Sequence, residues 1–505
     1  MSLMILGTSS HVGKSIITAG ICRILSNRGF SVAPFKSQNM SLNSYITEDG
    51  DEIGIAQAVQ AFSARACPNV LMNPVLLKPK ADSVSQIVLM GKPYKDISVS
   101  KYYRDTEFLL DKAVEAFNEL SSRYDEIVVE GAGGAAEVNL YEKDIANILL
   151  AKKLRLPIIL VADIERGGVF AQIYGTISLL PKDVRPLVKG IIINKFRGDK
   201  DLFDSGLKII EELCKVPVLG VVPFTRLEIP DEDSLSLEDK IPTDSLIKIA
   251  VIRYSHIANF TDFSLLERAA HVEYVLPGTP LCDFDAVILP GTKNTVSDLK
   301  ELIESKTAEE IIRCAEKGIP VIGICGGYQM MGESIFDNAI ESDSVAEYKG
   351  LGLLPVRTEF LKYNKLTVQK TRTAEPVGPI LSRMGTVHGY EIHSGVSKVF
   401  GQGCFTDEGA VSCGGIIFGT YLHGLFAESS AVDALMSYLC EVKDLPYSPV
   451  LHNGDPYEKL AAILEKNIDA EKIVELACSE NQIDERRKHH NIENSDAKKQ
   501  PLGKR

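Results

Sequence analysis

The sequence predicts an α/β protein built from two doubly wound parallel-sheet domains. Three observations carry this expectation. Short β-branched runs alternate with amphipathic helical stretches along nearly the whole chain. The runs are almost continuously apolar, as strands are when helices cover both faces of a parallel sheet. The alternation breaks once, in an acidic, proline-bearing stretch, and then resumes.

In chain order, LMILG, EIVVEGAG, PIILVADI and KGIIINKF read as buried strands of a first domain over 1–230, each running into a glycine-rich or polar turn. Residues 231–246 (DEDSLSLEDKIPTDSL) have the polar, acidic texture of a linker. KIAVIRY, FDAVILPGT, IPVIGICGG and GIIFGTYLHG then supply the strands of a second domain over 247–445. A short helical appendage is expected over 446–480, and the charged segment 481–505 has too few large apolar residues to fold. A length of 505 residues suits two or three domains.

A net charge of −13 argues against a broad nucleic-acid or anionic-membrane surface. No apolar run reaches the roughly 18–20 residues of a membrane span. The start, MSLMILGTSSH, lacks the basic n-region of a secretory signal. Ten cysteines without a CxxC pair indicate reduced thiols rather than a zinc site or disulfide framework. Together these point to a cytoplasmic protein.

The first motif is GTSSHVGKS, between strand LMILG and helix IITAGICRILSNRG. A turn of small residues points backbone N–H groups inward, and the helix start adds positive potential, so a polyphosphate fits. Thr8, Ser9 and Gly13 would line it, Lys14 would reach the terminal phosphates, and Ser15 would ligate Mg²⁺. The strict pattern wants glycine at position 8, where Thr8 stands beside Gly7. The loop instead resembles the GTxxxxGK[ST] loop of dethiobiotin synthetase and its relatives. Glu130 ends a strand where an acid can hold the metal, and Asn194 ends another where an amide could read a purine edge. ATP with Mg²⁺ is therefore the expected ligand.

The second motif is IPVIGICGGYQMMGE: a strand, then Cys325 and two glycines, then a helix. This strand–turn–helix elbow presents the sulfur where the helix start favours an anionic nucleophile. The N–H of Gly326 can help hold an oxyanion, and the turn at Gly291 and Thr292 in ILPGTKNT can complete the hole. Among nine histidines, His423 in GTYLHGLF, just past a strand end, is the best base. His388 and His393 in VHGYEIHSG are candidate substrate contacts.

GTSSHVGKS, APFKSQNMSLNS, VVEGAGGAAEVNL, DIANILLA, ILVADIERGGVFAQ, INKFRGD, LPGTKNT, GICGGYQMMG, GYEIHSG and GTYLHGLF, in that order, resemble the cobyric acid synthase family over residues 1 to about 440. The resemblance implies a P-loop NTPase-like synthetase half followed by a class I glutamine amidotransferase half. It implies ATP- and glutamine-dependent amidation of corrin-ring carboxylates in cobalamin biosynthesis, with Cys325 as nucleophile and His423 as base. It also places Asp144, beside Glu130, near the corrinoid carboxylate, with His393 a further candidate for that site. His11 stands where close relatives are expected to carry an acid. Class I amidotransferases usually place an acid two positions after the histidine; Leu425 stands there. That substitution predicts a Cys–His dyad, and slow glutamine turnover until the synthetase half is loaded. Two alternatives share parts of this pattern: an a,c-diamide synthase acting earlier on the same ring, and a partitioning-type ATPase. The latter usually carries an early lysine in the phosphate loop, absent here, and has no use for a cysteine elbow.

Overall fold

The computed structural model describes residues 2–81, 84–98, 105–199, 202–225, 229–230, 242–342, 344–362, 365–449 and 454–478. Most of the expected linker and all of the 481–505 tail lie outside the described residues.

The first sheet contains β1 (Ser2–Gly7), β2 (Val32–Phe35), β3 (Glu126–Glu130), β4 (Ile158–Asp163), β5 (Val188–Phe196) and β6 (Val218–Pro223). Their spatial order is β6-β5-β4-β1-β3-β2, and every pairing is parallel. β1, β3 and β4 are buried at every residue, which is why their sequences show no polar alternation. Strand order reverses around β1, so its carboxyl end lies at the switch point where open α/β sheets place ligands. The helix that follows, α1 (Lys14–Asn27), starts there.

The second sheet holds β7 (Lys248–Ile252), β8 (His271–Val275), β9 (Ala286–Leu289) and β10 (Val321–Ile324). Farther along the chain come β11 (Leu366–Thr373), β12 (Thr386–His393), β13 (Ala410–Val411), β14 (Ile417–Thr420) and β15 (Leu422–His423). The order is β8-β7-β9-β10-β14-β13, parallel except for the edge pair β13–β14. β11, β12 and β15 form a separate antiparallel sheet that carries His423 on its last strand. A short helix, α2 (Gly326–Met330), follows β10. The fold is thus two doubly wound α/β domains, as the apolar runs predict.

The appendage does not stay with the second domain. Its helices, α3 (Pro456–Asn467) and α4 (Ala470–Ala477), cover one face of the first sheet. There Leu460, Leu464, Ile468, Ile473 and Val474 join Leu3, Ile5, Ile17, Ile21 and Leu25 in one buried cluster. Each such Leu or Ile side chain contributes about 1.5–3 kcal/mol relative to exposure. Gly20 makes the approach possible, since a Cβ there would lie 2.1 Å from Leu464 Cδ1. The core of the first domain therefore includes residues far beyond position 230. Among the described residues no helix is long and apolar enough to cross a membrane.

Candidate active sites

At the carboxyl end of β1 the chain makes two left-handed residues, His11 at φ 59° and Gly13 at φ 94°. Gly13 is required twice over, because a Cβ there would also fall 2.1 Å from Asn194 Nδ2. That nitrogen donates to the Val12 carbonyl at 2.9 Å, so the Asn194 amide fastens the loop from beneath. The Asn194 amide thus has a structural bond to the loop at the strand end expected to read a purine edge. Thr8 donates its hydroxyl to Gln172 Oε1 at 3.4 Å, and Ser9 is exposed at the loop tip. Lys14, almost fully buried, donates to the carbonyls of Ser9 at 3.0 Å and Gly133 at 2.8 Å.

Ser15 Oγ donates to Glu130 Oε1 at 2.8 Å. The same carboxylate accepts Lys36 Nζ at 3.2 Å and Gln60 Nε2 at 2.5 Å. Mg²⁺ typically takes one or two protein oxygens and fills its octahedron with phosphate oxygens and water. The adjacent Ser15 and Glu130 oxygens fit that donor set, and Lys36 shows that the position already favours a cation. Asp144, expected near a substrate carboxylate, is bonded locally. It accepts the N–H groups of Ala146 at 3.0 Å and Asn147 at 2.8 Å, and Asn147 Nδ2 at 3.0 Å. Asn147 in turn clamps both backbone groups of Ala132. Burial raises the Asp144 carboxyl above its ordinary range, against these donors. Its role is to hold the glycine loop that Lys14 touches.

The second site is built around Cys325. It sits at φ 51°, ψ −107°, a strained backbone for a non-glycine residue, and its N–H is held by Thr420 O at 2.7 Å. Gly327 lets the elbow pack, since a Cβ would lie 2.0 Å from Leu289 O. The thiol is buried and lies 3.6 Å from Ile392 O. A Cβ on Gly326 would lie 2.5 Å from Thr292 Cγ2 and 3.3 Å from Thr292 N, which brings the two candidate oxyanion donors side by side. Thr292 is fixed through its hydroxyl, which bonds the His256 carbonyl and the Asp298 carboxylate. Asp298 also accepts His256 Nδ1 at 2.7 Å, and that bond raises the imidazole's pKa.

His423 is fully buried. A Cβ on Gly291 would strike its Cε1 at 2.6 Å, so glycine is needed there for the ring to fit. The dyad expected from Leu425 is not what the geometry shows. Asp262 Oδ2 accepts His423 Nδ1 at 2.7 Å, and Asp262 Oδ1 accepts Gly424 N–H at 2.9 Å. An acid therefore orients the base; it comes from the segment after β7, while Leu425 is a core residue. With the Nδ1 proton committed to Asp262, Nε2 is left for the sulfur. Burial works against the imidazolium, but the charges of Asp262 and Cys325 outweigh it and push the pKa up to about 10. The Tyr390 ring stacks on His423 at 5.4 Å and 17°.

Around the thiol, Gln329 accepts Thr295 Oγ1 at 3.0 Å and donates to Tyr421 Oη at 3.0 Å. Tyr421 also bonds Ser397 Oγ at 2.7 Å. His393 stacks on Tyr421 at 3.7 Å, one residue from the Ile392 carbonyl beside the sulfur. It therefore lies beside the cysteine site. His388 is exposed and bonds Thr371 Oγ1 at 2.8 Å. Besides Asp262, the residues that sequence reasoning missed here are Gln329, Tyr390 and Tyr421.

Residues 3–235 match the family described as the CobQ/CobB/MinD/ParA nucleotide binding domain. Residues 248–431 match the CobB/CobQ-like glutamine amidotransferase domain. Over 482 residues the chain is 60% identical to a probable cobyric acid synthase of Methanosphaerula palustris, covering 95% of this chain and 99% of that protein. The chain belongs to the cobyric acid synthase family. A second probable cobyric acid synthase, from Methanoregula boonei, is 59% identical over 478 residues, covering 94% and 99% of the two chains. One from Methanosarcina barkeri is 53% identical over 481 residues, covering 94% and 99%. In this family member the nucleotide-binding domain carries the phosphate loop, and the amidotransferase domain carries Cys325, His423 and Asp262.

Proposed function

We propose that this chain is a glutamine-hydrolysing amide ligase that converts adenosylcobyrinic acid a,c-diamide to adenosylcobyric acid, with ATP as activating substrate and Mg²⁺ as its partner. The observation that carries this reading is one chain holding both a phosphate loop and a Cys325–His423–Asp262 array. In the glutaminase half, the Cys325 sulfur attacks the glutamine side-chain carbonyl. The oxyanion is held by the N–H groups of Gly326 and Thr292, and ammonia leaves with a proton from His423 Nε2. Water, deprotonated by His423, then cleaves the thioester to glutamate. In the synthetase half, a corrinoid carboxylate oxygen attacks the γ-phosphorus of ATP and releases ADP. Lys14 neutralises charge on the phosphates, and Ser15 and Glu130 would hold a Mg²⁺ that adds to this neutralisation. Ammonia attacks the acyl carbon and phosphate leaves, giving the amide.

Cys325→Ala tests the two-module scheme. It should abolish synthesis driven by glutamine and retain synthesis driven by high ammonium, measured by mass spectrometry of the corrinoid. Loss of both would refute the scheme. Wild-type product carrying two new amides on the fully acidic ring, with the a,c-diamide left untouched, would instead identify the earlier a,c-diamide step.

A further inference from the structure

The two domains meet at a buried residue of the first, Ser44, whose polar atoms are all engaged. Its N–H donates to Asn259 Oδ1 at 2.8 Å, and its carbonyl accepts Tyr390 Oη at 2.9 Å. Its hydroxyl donates to Glu52 Oε1 at 2.8 Å and accepts Lys78 Nζ at 2.8 Å. Asn259 and Tyr390 are side chains of the second domain that, together with Asp262, lie against the His423 ring. Asn259 Nδ2 is 3.4 Å from Nε2 and 3.5 Å from Nδ1, so the amide sits over the imidazole, and Tyr390 stacks on it. Neighbouring Asn43 accepts the N–H of Phe260 at 3.1 Å. Asn259 is left-handed at φ 54°, a conformation asparagine tolerates better than most residues.

This seam is rigid and specific. Glu52 is fully buried and bonds Lys78 at 2.6 Å from its own domain, and Lys365 from the other. Burial opposes its charge, but the two ammonium groups hold its carboxyl well below the usual range. Removing Glu52 would strand two buried ammonium groups, and Lys365 ties it across the seam, so the cluster keeps Ser44 in place. The segment that ends at Ser44 begins at Lys36, whose ammonium bonds Glu130 beside the phosphate loop.

Resting on the glutaminase reading of Cys325 and His423, we propose that Asn259 and Tyr390 are positioning residues through which Ser44 of the synthetase domain holds the imidazole of His423 in its working orientation. The glutaminase is then complete only when docked on the synthetase, and a shift of the 36–44 segment would reach its base directly.

The test uses the full-length enzyme, measuring glutamate release with ATP, Mg²⁺ and cobyrinic acid a,c-diamide present. Asn259→Gly keeps the left-handed backbone and deletes the amide; Tyr390→Phe keeps the ring and deletes the bond to Ser44. Each should lower kcat for glutamine hydrolysis about tenfold, the scale of one lost hydrogen bond at ~1.4 kcal/mol, with KM for glutamine within about twofold. The double variant should fall short of the product of the two losses, because both act through one holder and one ring. Ammonium-driven synthesis, which needs no glutaminase step, should persist in all three. A kcat close to wild type in Asn259→Gly would overturn the proposal. So would a parallel loss of ammonium-driven synthesis, which would mark these residues as supports of the fold. Failure of the glutaminase reading itself would show differently, as a wild-type enzyme that releases no glutamate.

Discussion

The Asp262→Asn substitution isolates the acid that replaces the one absent at Leu425. Asparagine has nearly the same shape, so packing is preserved while two bonds are set in conflict. Asp262 accepts from two donors, His423 Nδ1 at 2.7 Å and Gly424 N–H at 2.9 Å. An amide can accept with one end only. If its oxygen faces the ring, its NH₂ meets the Gly424 N–H; if it flips, Nδ1 must become the acceptor and Nε2 carries the proton. The second arrangement leaves His423 unable to take a proton from sulfur. The electrostatic loss can be scaled as well. Raising an imidazole from 6.5 to about 10 corresponds to ~5 kcal/mol. Asp262 is the larger of the two charges behind that rise, so its loss removes a substantial part of it. The expected fall in glutaminase kcat is at least about tenfold, rising towards about 10⁴ if the wrong tautomer prevails.

The assay is glutamate release at saturating glutamine, with ammonium-driven amidation as the control for an intact fold. A variant within about threefold of wild type would refute the assignment, since either effect alone exceeds that. A second readout follows from linkage. His423 has a raised folded-state pKa, so its stabilising contribution is full below an ordinary imidazole pKa of 6.5 and is lost as pH rises through about 10. The stability gap between wild type and Asp262→Asn should therefore be widest near pH 6 and shrink towards pH 10, as followed by thermal unfolding across that range.

Three further substitutions probe separate parts of the molecule. Gly291→Ala would place a methyl 2.6 Å from His423 Cε1, so glutamine hydrolysis should drop by at least about tenfold while ATP binding, measured calorimetrically, is unchanged. Gly13→Ala meets both a left-handed φ of 94° and the Asn194 amide at 2.1 Å. ATP affinity should fall by more than about tenfold, while glutamate release from glutamine alone stays near wild type. Glu408 is half-buried, accepting Thr420 Oγ1 and, at 2.6 Å, Tyr421 N–H; loss of solvent around it pushes its carboxyl up to about 7. Wild type should lose stability as pH rises from about 4.5 to 7 through this group. Glu408→Gln should gain relative to wild type over that window and keep the gain above it, measured by melting temperature against pH.

What could be read from sequence divides by the range of the physics involved. Strands β1, β3, β4, β5, β7, β9, β10 and β14 were legible because burial on both sheet faces leaves an apolar run as a local signature. Gly13 and Cys325 were legible because a left-handed turn between strand and helix is encoded by adjacent residues. The local bonds of Asn194 and Asp144 were not legible: strand-end and loop polar residues look alike whether they face a ligand or also bond a backbone group, here at Val12 and at Ala146. The acid for His423 was invisible to spacing, since Asp262 lies 161 positions away and meets it only through the tertiary fold. One local sign existed. NFTDF places a carboxylate beside two phenylalanines, and such a group is costly to bury without a partner. APFKSQNMSLNS was specific as a word yet had no assigned work; its end, Asn43–Ser44, proves to be the contact that reaches the imidazole. This moves the reason for expecting slow glutamine turnover in an unloaded enzyme. A missing acid no longer supports it, because Asp262 is in place. The dependence rests instead on Ser44, which belongs to the synthetase domain and bonds Asn259 and Tyr390 beside the base.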